Sequence, residues 1–143
     1  MNKTIIKLWE NKKEELKQYI SENNQEEYAS YLKLVKVITQ IVLNSGYEDE
    51  WGSECTFNHE AIHKIDDGDY QGTLIFIIPM DIYQPSEDQY LITNVSYGSC
   101  SGCDTLESIH SYDTGKPSPE QVEGYMTLCL HLIQKMKYLG DIW

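Results

Sequence analysis

An α+β fold is predicted by three features of the sequence. Helical periodicity fills the first forty residues, short apolar strands flanked by turn residues occupy the middle, and a proline-led capping box opens a last amphipathic run. With 143 residues, 41% of them hydrophobic and 11% aromatic, the chain suffices for one compact core, so residues 1–143 are expected to form a single domain. The expected order is two N-terminal helices, a three-stranded antiparallel β-meander, then a short helix and a long C-terminal helix packed on the sheet.

From Thr4 to Ile20, the apolar residues Ile5, Leu8, Trp9, Leu16, Tyr19 and Ile20 share one helical face and Lys12, Lys13 and Lys17 take the other. This predicts an amphipathic surface helix, which the polar run Ser21 to Gln25 should end. A second helix is expected from about Glu26 to Leu43. Its apolar residues Tyr31, Leu32, Leu34, Val35, Val37, Ile38, Ile41 and Val42 lie almost all round, as in a central helix, and Asn44-Ser45-Gly46 supplies the stop.

Strands are expected near Glu60–Ile65, Gly72–Ile78 and Gln89–Tyr97. Asp66-Asp67-Gly68-Asp69 reads as the first hairpin turn, Leu74-Ile75-Phe76-Ile77-Ile78 as a buried strand, and Pro79 as its end. Asp104-Thr105-Leu106-Glu107 has the form of a capping box, which predicts a short helix to about Tyr112. Ser118-Pro119-Glu120-Gln121 is a second such box. Behind it Val122, Tyr125, Met126, Cys129, Ile133 and Met136 make a buried stripe, and Gly140 is the expected end of that helix.

The net charge of −12 comes from 23 acids against 11 lysines, without one arginine. The planar fork that grips phosphates and guanines is therefore missing, and a field of this sign repels nucleic acid and anionic membranes. Direct nucleic-acid and membrane binding are disfavoured, and a protein with a basic surface is the favoured partner. A homo-oligomer is a further candidate assembly. Between Glu48 and Asp88 eleven acids stand against Lys64 alone, so the candidate binding residues there are Glu48, Asp49, Glu50, Asp66, Asp67 and Asp69. The competing reading is a solvated face that only keeps the chain soluble. No secretory leader and no membrane-length apolar run is found, which predicts a cytoplasmic protein with its four cysteines reduced.

The segment with most chemical specificity is Gly98-Ser99-Cys100-Ser101-Gly102-Cys103-Asp104, a turn between an expected strand and an expected helix start. It admits four uses. The thiols and glycines could simply pack a tight turn. Cys100 and Cys103 could bind zinc together with Cys55 and His59 as a Cys3His set, although Cys55, His59 and His63 align only if a helix runs through them. A low-pKa thiol with a resolving partner could do redox work, but everything after Cys103 reads helical and leaves no room for a thioredoxin-like sheet. Backbone amides at Ser99, Ser101 and Gly102 could cradle a phosphate or signal nucleotide, with Tyr97 stacking on its base. No catalytic triad is recognisable, and chance carboxylate pairs are uninformative in so acidic a chain. The balance leans away from an enzyme.

Tyr97 to Leu106, with Asp69-Tyr70-Gln71-Gly72 before it and Met126 to His131 after it, resembles an uncharacterised family of small bacteriophage proteins marked by YGSCSGCD-x-L. The likeness covers about the C-terminal half. It implies phage origin, hence the host cytoplasm, and it brings no activity, cofactor or catalytic residue with it. By analogy with small acidic phage proteins, the expectation is an inhibitor or sequestering agent of a host component, such as a defence or takeover target. The alternatives are a small-molecule or signal-nucleotide sponge and a zinc or thiol protein.

Overall fold

The computed structural model describes residues 3–28, 30–48, 52–68, 72–82, 84–86, 89–97, 109 and 115–142. Among these, helices and antiparallel sheets are combined as an α+β fold. Helix α1 spans Lys3–Glu22, α2 Tyr31–Ile41 and α3 Pro119–Lys135. Strands β1 (Tyr47–Glu48) and β2 (Glu54–Cys55) form a two-stranded sheet. Strands β3 (His63–Gly68), β4 (Gly72–Pro79), β5 (Tyr90–Tyr97) and β6 (Lys137–Tyr138) form a second sheet in that order, antiparallel throughout.

Helix α1 buries Ile5, Leu8, Trp9, Leu16 and Ile20, as its periodicity predicts, and packs along α3. It continues two residues past Ile20, through Ser21 and Glu22; Ser21 Oγ bonds back to the Lys17 carbonyl at 2.8 Å within the helix. The second helix starts later than its pattern suggests. Gln25–Tyr28 is a separate 3-10 turn, and Ser30 caps α2 by accepting from Lys33 N at 3.1 Å. A serine with extended backbone ahead of an apolar run outweighs periodicity in setting a helix start. At the other end Gly46, at φ +126°, makes the turn that a side chain would resist.

Two strand boundaries and one helix end differ from expectation. The first meander strand begins at His63, because Asn58 Oδ1 accepts from Glu60 N and holds His59–Ala61 in a 3-10 turn. It then runs on through Asp66, Asp67 and Gly68, which pair with Leu74, Thr73 and Gly72, so those residues are strand and the connection falls on 69–71, outside the described residues. Helix α3 has the full capping box of Ser118 and Gln121 but stops at Lys135, not at Gly140. Met136 is buried in extended conformation, and the chain re-enters the sheet as β6, a fourth strand beside β5. The expected short helix after Cys103 lies outside the described residues apart from Ile109.

One face of the larger sheet presents Leu74, Phe76, Ile78, Leu91 and Val95 to the core, where they join the buried residues of all three helices in one cluster. Thr93, on the same face, donates to the Leu132 carbonyl at 2.7 Å. That carbonyl lies in the last turn of α3, where Met136 N bonds Ile133 O instead, so the strand hydroxyl serves as the cap. The opposite face carries Ile75, Ile77 and Ile92 only half-buried. The central strand is thus not buried on both sides, as its unbroken apolar run suggested.

Candidate functional site

The acidic middle segment is held by a short chain of backbone pairings. The Asn44 side chain behaves like a strand edge toward Phe57: its Oδ1 accepts from Phe57 N at 2.7 Å and its Nδ2 donates to Phe57 O at 3.0 Å. Phe57 bridges to Met80, Asn58 N donates to Pro79 O, and Asp81 N donates to Thr56 O at 2.8 Å. Beneath this, Tyr47 meets the Phe57 ring edge-on at 5.0 Å, and its hydroxyl bonds that of Tyr138. The β1–β2 pair is therefore fixed from helix, sheet and core at once.

Its outward residues are both acidic. Tyr47 pairs with Cys55, and Glu48 pairs with Glu54, so two exposed carboxylates stand directly opposite each other. Like charges in this position are destabilising. Asp81, bonded to Thr56 beside β2, is exposed, as is Glu60, which is paired with His59 at 3.0 Å. The lysine ion pairs of the described residues are all elsewhere, at Lys12–Glu15, Lys13–Glu10 and Lys17–Glu123 on the helices. Hydrogen-bonded carboxylates beside Lys13 and Lys17 raise those ammonium pKa values.

Of the residues singled out in the sequence, Glu48 is exposed on β1 and Asp66 on β3, in different sheets. Asp67 lies in β3 and Tyr97 closes β5. Asp49, Glu50, Asp69, Ser99, Cys100, Ser101, Gly102 and Cys103 lie outside the described residues. Of the zinc set, Cys55 and His59 are among the described residues. Cys55 is in β2 with Sγ 3.4 Å from Ser53 O, His59 opens a 3-10 turn and His63 opens β3, so no helix aligns the three. His59 Nε2 lies 3.0 Å from both Gln40 Nε2 and Glu60 Oε1. Among the described residues, no group of three or more His, Cys, Asp or Glu could hold a metal ion. The fourth cysteine, Cys129, is fully buried in α3, and burial pushes its thiol pKa far up, which leaves it a packing residue.

Two features escaped sequence reasoning. Glu54 and Asp81 count among the eleven acids of the middle segment, but their placement, Glu54 opposite Glu48 and Asp81 bonded to Thr56 beside β2, was missed; the available signal was Gly52, at φ +80°, as a turn glycine. The open sheet face holds a shallow depression of about 350 Å³ lined by Thr73, Ile75, Ile92, Asn94, Lys135 and Lys137. Only the fourth strand brings the last lysine there. No helix among the described residues is long and apolar enough to cross a membrane. Compared with protein-family models, curated proteins and solved structures, the chain matches none.

Proposed function

We propose that this chain is a non-enzymatic, phage-type protein that binds a basic surface of a host protein and thereby inhibits or sequesters it. The observation that carries this reading is the cross-strand pair Glu48–Glu54. Two carboxylates held in direct opposition weaken the free protein, and a lysine- or arginine-rich partner inserted between or over them relieves that repulsion. Rigid support from Asn44, Phe57 and Tyr47 favours the same reading, since a pre-organised charged surface loses little freedom on docking. Asp81, bonded to Thr56 beside β2, extends the charge, and association with a basic partner should be fast at low salt and slow steeply as salt rises.

Native mass spectrometry of untagged protein purified from bacterial cytosol tests this. The expected spectrum shows the bare chain, its multiples, or a complex with a basic protein. A zinc-sized or nucleotide-sized excess would overturn the reading and move function to the Ser99–Cys103 segment.

A further inference from the structure

We propose that two copies of this chain join through β3, pairing it antiparallel with its own copy about a two-fold axis at Ile65. Strand β3 ends the sheet order, with β4 on one side and, among the described residues, no strand on the other. His63, Lys64, Ile65 and Asp66 are consecutively exposed, and Ile65, at 46%, is a large apolar residue with substantial exposure. The six-residue strand carries no proline and pairs with β4 without a bulge. Such an edge is a ready template for another strand.

Its sequence selects the partner. Set against itself about Ile65, His63-Lys64-Ile65-Asp66-Asp67 places Ile65 on Ile65, Lys64 opposite Asp66 on both sides of the axis, and position 63 opposite position 67. The two neighbouring two-fold registers that keep side chains on their own faces put Lys64 on Lys64 or Asp66 on Asp66. Of the three, only the Ile65 register sets Lys64 against Asp66.

The faces also agree. Ile65 pairs with Ile75 and so lies on the half-exposed face with Ile77 and Ile92, while Lys64 and Asp66 pair with Phe76 and Leu74 on the other face. The join therefore sets an apolar contact on one side of a continuous sheet and two Lys–Asp pairs on the other. The net charge of −12 on each copy opposes association at long range, so dimerisation should strengthen as salt shortens the screening length to about 8 Å near physiological ionic strength.

Sedimentation velocity of the purified full chain, with wild type, Lys64→Asp, Asp66→Lys and the Lys64→Asp/Asp66→Lys double variant, tests the register. Both substituted positions are exposed, and circular dichroism checks that each of the three variants is folded. The expected result is a wild-type particle of twice the 16.6 kDa chain mass. Each single variant should weaken dimerisation by roughly tenfold or more, and the charge swap should restore it. A wild type that stays monomeric up to about 100 μM, single variants that dimerise as the wild type does, or a folded double variant that stays as weak as the singles would each overturn the proposal.

Discussion

Glu48 and Glu54 occupy directly opposed positions of the β1–β2 pair, two exposed carboxylates on an otherwise firmly anchored hairpin. A cross-strand pair of opposite charge would stabilise the same geometry, so the arrangement costs the free chain something and is a sensible place to look for a partner.

Glu54→Lys should accordingly make the isolated protein more stable while weakening partner binding. The gain expected is up to about 1 kcal/mol, or a Tm increase of ~3 °C. Chemical or thermal denaturation of the two proteins checks it. A clear loss of stability would show that the two carboxylates do not repel.

Gln25 is a buried hub whose Oε1 accepts from Tyr125 Oη at 3.0 Å and from Gln121 Nε2 at 3.3 Å. Gln121 in turn accepts from Ser118 N at 2.8 Å and donates to Ile109 O at 3.0 Å. Gln25→Leu should cost about 2–3 kcal/mol by stranding these donors, and Gln25→Leu with Tyr125→Phe should cost less than the sum of the two. Urea denaturation of the double-mutant cycle measures this; strict additivity would contradict a shared hydrogen bond.

Burial drives the Tyr125 phenol up to about 12, and its ring-edge neighbour Tyr28, 4.8 Å away, is raised further. A folded-state pKa above the unfolded value near 10 gives stability that is complete below pH 10 and lost as pH climbs toward 12. For Tyr125 alone the loss is on the order of 2 kcal/mol. Denaturation midpoints measured across that window should fall, and Tyr125→Phe should flatten the fall.

Thr93→Val should cost about 1 kcal/mol, since Thr93 Oγ1 supplies the cap on the Leu132 carbonyl that the end of α3 lacks. Hydrogen exchange should quicken at the α3 end near Lys135 and Met136. Unchanged protection there would show that the last turn holds without the strand.

The sequence was most informative where a local signal decides structure. The Ser118–Gln121 box set the start of α3 to the residue, and Asn44 to Gly46 marked the end of the α2 region. At α2 two local signals competed, and the Ser30 cap set the start in place of the longer apolar pattern. The sequence misled where tertiary partners decide: the two-residue strands at Tyr47, Glu54 and Lys137 are too short to alternate visibly, and Ile75 and Ile77 looked as buried as Leu74 and Phe76. The acidic segment was legible as composition. Its geometry was not, because the opposition of Glu48 and Glu54 is a matter of register, which sequence alone leaves open.

The central claim is tested most directly by quantitative affinity purification from bacterial cytosol with wild type and a Glu48→Lys/Glu54→Lys variant, each at about 50 mM and about 300 mM salt. The account predicts a basic protein enriched by the wild type, recovered less at the higher salt and lost with the variant. Recovery of the same protein by the variant at the wild-type level would contradict it.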